Sequence, residues 1–243
     1  MLRAGEQKIA AVYCGGAKIK RAYVGDTLTF EANKPSRLPE GYQEVRYIQS
    51  LGSVFLNTVV MGAAMKMVMD VEPTEVPSSG IYHYFLFAYS RHSVSNGRYQ
   101  HRQLAVNYAP TFIGGVMGSG SGTSTTPSWP FSKITENVTP RRMLITVDYP
   151  NTKIMVDDTT FKGLATAASY IPNAAVRVLG SAAAETSSVK AKLYSLKFYD
   201  GDELIRDFVP CINPEGITGV YDIIGDLFRS SATSTPLIAG PAV

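Results

Sequence analysis

In the run Met65-Lys66-Met67-Val68-Met69-Asp70-Val71 every odd position is apolar, while Lys66 and Asp70 stand on even positions. That is the period of a half-buried antiparallel strand, one face packed and the other wet. Runs of this kind recur between turn clusters along most of the chain, and no segment carries a long helical period. Strands are expected over residues 44–49, 54–59, 65–71, 82–89, 103–108, 143–149, 153–157, 175–179, 190–199 and 203–210. Pro150-Asn151-Thr152 and Asp200-Gly201-Asp202 read as hairpin turns. A helix is expected only over 164–170 and 182–187, each too short to organise a fold. Ten or more short strands joined by tight turns favour a two-sheet antiparallel sandwich over a barrel.

The first thirty residues echo themselves: Lys8-Ile9, Tyr13 and Gly15 recur as Lys18-Ile19, Tyr23 and Gly25. Each copy reads as strand plus turn, which predicts a small β-meander with turns at Cys14-Gly15-Gly16-Ala17 and Gly25-Asp26. Such a module buries too little surface to stand alone and must dock on a neighbour or another chain. The stretch from Glu31 to Pro39 holds two prolines and little to bury, which is linker composition. The expected organisation is a β-module over residues 1–34, for attachment or oligomer assembly, and an all-β domain over 35–243. Gly118-Ser119-Gly120-Ser121-Gly122, running on to Trp129-Pro130, has the composition of a mobile surface loop.

Charge excludes some partners. Twenty-three Lys and Arg stand against 20 Asp and Glu, and the net +3 is spread along 243 residues, so no nucleic-acid footprint is present. No apolar run approaches the roughly 18 residues of a membrane span, and Met1 to Lys8 lacks an apolar signal core, so neither membrane insertion nor signal-led secretion is expected. Cys14 and Cys211 are far apart and belong to no Cys/His set of zinc spacing.

Two stretches bring a family into view. Leu38-Pro39-Glu40-Gly41-Tyr42-Gln43-Glu44-Val45-Arg46-Tyr47-Ile48-Gln49-Ser50-Leu51-Gly52 resembles the entry to a recurrent domain of phage and prophage tail proteins. The runs from Ala191 to Asp200, Leu204 to Cys211 and Gly219-Val220-Tyr221-Asp222 resemble its closing strands. The resemblance is to the concanavalin A-like, laminin-G-like jelly roll of virion proteins, and it frames residues 38–243 at both ends. Ala22 to Phe30 is similar to a short β-module that often precedes it. The resemblance implies a non-enzymatic virion protein of tail, fibre or surface decoration, displayed on the phage particle and attached to host-surface carbohydrate. Its implied partners are other virion proteins and further copies of itself, with a closed trimer favoured. A purely structural decoration or fibre is the first alternative, and a surface-glycan depolymerase the second.

The framing residues read as packing elements. Val45, Tyr47 and Gln49 share one face of their strand, and Glu44, Arg46, Ile48 and Ser50 the other. Along 193–199, Tyr194, Leu196 and Phe198 form the expected core face. Gly219 to Asp226 reads as a last strand and turn.

Glycosidases need paired carboxylates that reach one sugar from one face, and no such run occurs; Asp157-Asp158 and Asp200-Asp202 read as turn formers. His83, His92 and His101 are spaced by nine among arginines, which is not ligand spacing. No cofactor is expected. Some concanavalin A-like domains hold calcium, for which Asp148, Asp157, Asp158 and Asp222 are conceivable ligands. Aromatic residues suit a sugar ring's apolar face, with polar neighbours for its hydroxyls. The candidate ligand residues are therefore Trp129, Tyr82, Tyr84, Tyr99, His101 and Arg102; for Trp129, an anchor pinning its loop to the core is the first reading and a ligand contact the second.

Overall fold

The structure is a computed structural model that describes residues 37–52, 54, 56–60, 65–75, 84–95, 98–108, 113–122, 132–135, 140–148, 150–151, 153–157, 159–162, 175–180 and 189–243, together with strands between residues 3 and 31. The expected helices over 164–170 and 182–187 lie outside the described residues, and among those described there is no helix. The chain divides into two units, Met1–Pro39 and Glu40–Val243.

The first unit contains β1 (Arg3–Ala4), β2 (Gln7–Lys8), β3 (Val12–Cys14), β4 (Ala17–Ile19), β5 (Arg21–Val24) and β6 (Thr27–Glu31). They pair as three separate hairpins, β1 with β2, β3 with β4 and β5 with β6. The expected middle strand over residues 18–24 falls on β4 and β5, and Lys20 between them lies outside the described residues. Cys14 pairs with Ala17 and Val24 with Thr27, while Gly15, Gly16, Gly25 and Asp26 of the expected turns lie outside the described residues.

The second unit runs β7 (Gln43–Glu44), β8 (Ile48–Leu51), β9 (Leu56–Val60), β10 (Met65–Pro73), β11 (Tyr84–Ser95), β12 (Arg98–Tyr108), β13 (Ile113–Gly122) and β14 (Ser132–Thr135). It continues with β15 (Met143–Asp148), β16 (Lys153–Val156), β17 (Thr159–Lys162), β18 (Ala175–Val178), β19 (Lys190–Asp200), β20 (Glu203–Ile212), β21 (Thr218–Asp222), β22 (Leu227–Ser230) and β23 (Ile238–Ala239). A large antiparallel sheet has the order β17-β16-β15-β10-β19-β20-β21-β22, and a second sheet of six strands has the order β14-β13-β12-β11-β18-β9. Along one edge of β19, β8 takes the first part and β20 the last; β7 pairs with the far end of β20.

The core joins both sheets in a β-sandwich-like arrangement. Met67, Met69 and Val71 of β10, Ile145 and Val147 of β15, and Leu196 and Phe198 of β19 belong to one buried cluster with Leu56, Val176 and Val178 of the second sheet. The alternation read in residues 65–71 holds, with the odd positions from Met67 buried and the even ones half-buried. The rings of Phe198 and Phe208 meet edge-on, 6.1 Å between centroids.

Three expectations are corrected by strand geometry. Residues 44–49 do not form one strand: the chain leaves β20 after Glu44 and joins β19 at Ile48, so Val45 and Ile48 both reach the core despite their opposite parity. Gly118 to Gly122 is not loop but the end of β13, paired to Gln103 through Tyr99 of β12; the ladder overrides glycine's weak strand preference. The stretch from Gly219 to Asp226 is not the last strand and turn, because β22 and β23 follow. The chain's end is stitched to the unit's first strands: Ile238 pairs with Gln49, Ala239 with Ile48 and Ala242 with Val45, and the Val243 amide donates to the Glu44 carbonyl at 3.1 Å.

Candidate functional site

Of the residues singled out from sequence, Trp129, Tyr82, His83 and Asp158 lie outside the described residues. Tyr99, His101 and Arg102 occupy neighbouring positions on β12, opposite Val94, His92 and Arg91 of β11. Tyr84 begins β11 at the other end of that hairpin, opposite Tyr108. Tyr108 lies nine residue steps along β12 from Tyr99, roughly 30 Å of extended chain. Ser95 pairs with Arg98, and Asn96 and Gly97 between them lie outside the described residues.

The outer face of the large sheet carries a cluster of aromatic and charged side chains. Its origin is a β-bulge. Asp70 pairs with Ser195 but Val71 pairs with Leu193, so Tyr194 is an extra residue in β19. A bulge re-aims side chains by shifting the parity of the strand. Tyr194, expected on the core face with Leu196 and Phe198, instead turns outward, and Leu193 takes the buried place. There Tyr194 donates to Glu72 and stacks under Arg142, whose guanidinium carbon lies 3.8 Å from the ring centroid. Arg142 holds Asp70 with both Nε (2.8 Å) and Nη2 (2.7 Å). Tyr47 meets Tyr194 edge-on at 5.4 Å, and Lys192 reaches Glu72 at 3.4 Å while lying 5.2 Å from the Tyr47 centroid. Burial and the hydrogen bond to Glu72 push the Tyr194 phenol up to about 12. Glu72 is held below its ordinary value, chiefly by that same hydrogen bond. Each charge here has its counter-charge and both rings carry a cation, so the cluster braces the sheet face and leaves little open to a ligand.

A different arrangement lies where the two sheets part. The edge strand β22 of the large sheet and the edge strand β9 of the smaller one border a cleft of about 490 Å³. Thr58, Val59, Met65, Ala175, Phe208 and Leu227 give it apolar walls, and Arg206, Arg229 and Asp222 give it charge. Asp222 is the fixed point. Only 2% exposed, it accepts from the amides of Asp207 and Ile224, both at 3.2 Å, and its Oδ2 lies 3.2 Å from Arg206 Nε. Gly225 permits this, because a Cβ there would stand 2.3 Å from Asp222 Oδ2. Arg206 also donates from Nη1 to the Ile205 carbonyl, at 2.7 Å. Arg229, half-buried, makes no ion pair or side-chain hydrogen bond among the described residues. Nothing in the sequence marks Arg206 and Arg229 as partners; the β20–β21–β22 meander brings them to one cleft.

Of the conceivable calcium ligands, the three among the described residues are otherwise engaged. Asp148 accepts from the Asn151 side chain at 2.9 Å, Asp157 is paired with Arg141 at 2.5 Å, and Asp222 is held as above. Among the described residues no three His, Cys, Asp or Glu side chains come together as a metal site. Asp157 is a turn former, as its sequence suggests, with φ 51°. Burial pushes its carboxyl up, but the Leu144 amide and Arg141 together hold it below its ordinary value.

No family model matches the chain, and no curated protein matches it.

Proposed function

We propose that this chain is a non-enzymatic phage virion protein, its second unit a concanavalin A-like jelly roll that binds host-surface carbohydrate. The observation that carries the reading is the cleft at the open edge of the sandwich. Its volume falls within the roughly 300–1,000 Å³ of small-molecule sites, and it combines apolar walls with a few charged groups, which is how such sites orient a ligand. The resemblance of residues 38–52 and 191–222 to tail-protein strands supports the virion assignment, and these residues supply core positions such as Val45, Ile48, Leu193 and Phe208.

A binding role fits this cleft better than a hydrolytic one. Glycoside hydrolysis needs two carboxyl groups flanking the bond, roughly 5–9.5 Å apart. Among the described residues the cleft has one, Asp222, and its oxygens are committed to Arg206 and two amides. The first unit serves assembly in this reading, as part of a cyclic trimer. Its support is that isolated two-stranded hairpins are marginal in water and gain stability from a neighbour.

The test is binding of the fluorescently labelled full chain to intact bacteria of candidate host strains, with and without periodate oxidation of surface sugars. Strain-specific, periodate-sensitive binding is expected. Absence of binding to a strain known to be infected would overturn the carbohydrate reading and turn the assignment to a structural virion part. Sedimentation of the full chain tests the trimer, and a monomer at micromolar concentration would refute it.

A further inference from the structure

We infer that the cleft between β22 and β9 selects acidic carbohydrate, seating the carboxylate of a uronate-type or sialate-type sugar against Arg229 and Arg206. This rests on the carbohydrate reading above and narrows it to a charge class. Among the described residues, two guanidinium groups line the cleft and one carboxylate opposes them, an excess of one positive charge. Asp222 neutralises Arg206 from below through Nε. Arg206 Nη2 makes no hydrogen bond among the described residues, and its side chain is 39% exposed. Arg229 is half-buried with its five donors unanswered by any side chain among those described. A guanidinium held against apolar walls without a counter-ion is costly to desolvate, and a planar carboxylate answers it in bidentate geometry.

The walls define the rest of the ligand. Met65 and Leu227 present apolar surface suited to the C–H face of a sugar ring, and the Thr58 hydroxyl is already used, donating to the Val176 carbonyl at 3.0 Å. The cleft therefore offers few free hydrogen-bonding groups for neutral hydroxyls apart from its arginines. Discrimination falls on charge. A neutral sugar would leave Arg229 unpaired, whereas an acidic one neutralises it at the edge of a low-dielectric wall.

The experiment is calorimetric titration of the full chain with an oligogalacturonate, with the same oligosaccharide after reduction of its carboxyl groups to alcohols, and with a sialyl-oligosaccharide. Arg229→Gln is the variant. It keeps much of the side chain's bulk, and its fold is checked by an unchanged circular dichroism spectrum and urea midpoint. At least one of the two acidic probes is expected to bind, more weakly as salt rises. The carboxyl-reduced probe and the Arg229→Gln variant should each lose about tenfold to hundredfold in affinity. Binding of acidic and reduced probes alike, or acidic binding that Arg229→Gln leaves unchanged, would overturn the inference while leaving a carbohydrate-binding role standing. No binding of any probe, by a chain that still shows periodate-sensitive attachment to cells, overturns the acidic preference alone. If cell attachment is absent too, both readings fall.

Discussion

Gly225→Ala isolates the support of the cleft in a single methyl group. The residue lies in the loop between Asp222 and Leu227, which pair across β21 and β22. The new Cβ would start 2.3 Å from Asp222 Oδ2, where real contacts stay beyond 3.0 Å. Either the carboxylate swings away from Arg206 Nε, now at 3.2 Å, or the loop lifts and breaks the Ile224 amide bond to Oδ1. Asp222 is 2% exposed, so water does not replace the lost partner. A hydrogen bond to a charged group is worth about 1.5–3 kcal/mol, and the exposure of Arg206 discounts its share, so the expected loss is about 2 kcal/mol. Urea denaturation of the full chain at neutral pH reads it. Asp222→Ala alone should cost roughly 3 kcal/mol by stranding the Asp207 and Ile224 amides. In that background the added methyl meets no carboxylate, and Gly225→Ala should cost less than about 0.5 kcal/mol. Equal costs in the two backgrounds would refute the reasoning, since they would place the effect in the loop backbone alone.

Four further perturbations test other parts of the structure. Tyr194→Phe removes the hydroxyl that holds Glu72 low; a depressed carboxyl stabilises above its unfolded value, near 4.5, and loses that as pH falls through its folded value. The gap in urea midpoint between wild type and variant should therefore be full at neutral pH and close on acidification; a gap that stays constant would contradict the assignment. Phe198→Ala should cost about 4 kcal/mol, and Leu144→Ala, at a side chain 46% exposed, less than about 0.5 kcal/mol, both read from chemical denaturation. Burial, with Glu44 adding to it, pushes the Cys211 thiol up to about 12, so in a Cys14→Ser variant iodoacetamide at mildly alkaline pH should label the chain only once denaturant is added. Labelling of the folded variant would count against that burial.

The strands were legible because their period is a backbone property. The odd positions of β10 pack inward as the alternation demands, and the hairpin at Asp200 closes with Gly201 at φ 59°, the positive value glycine tolerates. Parity failed where the ladder slips. One extra residue in β19 sends Tyr194 to the opposite face, and no local signal in residues 193–199 marks the slip, which is set by register against β10. The glycines from 118 to 122 read as loop because propensity is local while pairing with β12 is not. Asp222 reads from sequence as a conceivable cation ligand, whereas its structural partner is a cation of the chain itself, Arg206. Arg229 carries no local signal: a lone arginine in a short strand gains meaning only when a distant edge strand, β9, supplies the opposite wall of the cleft.

The stitching of the last residues to the first strands also sets how the second unit would carry mechanical load. Glu44 and Val243 lie at the same end of an antiparallel seam, with Val45 and Ala242 next, then Ile48 with Ala239 and Gln49 with Ile238. Tension between these two points peels the contacts one after another, as a zipper opens, instead of shearing them together. The force would enter and leave at one corner, leaving β10, β15 and β16 unstrained until the seam is open. In a stretching experiment, the first event should be a low-force release of about seven C-terminal residues, each lengthening the tether by roughly 3.3–3.6 Å, before the sandwich yields.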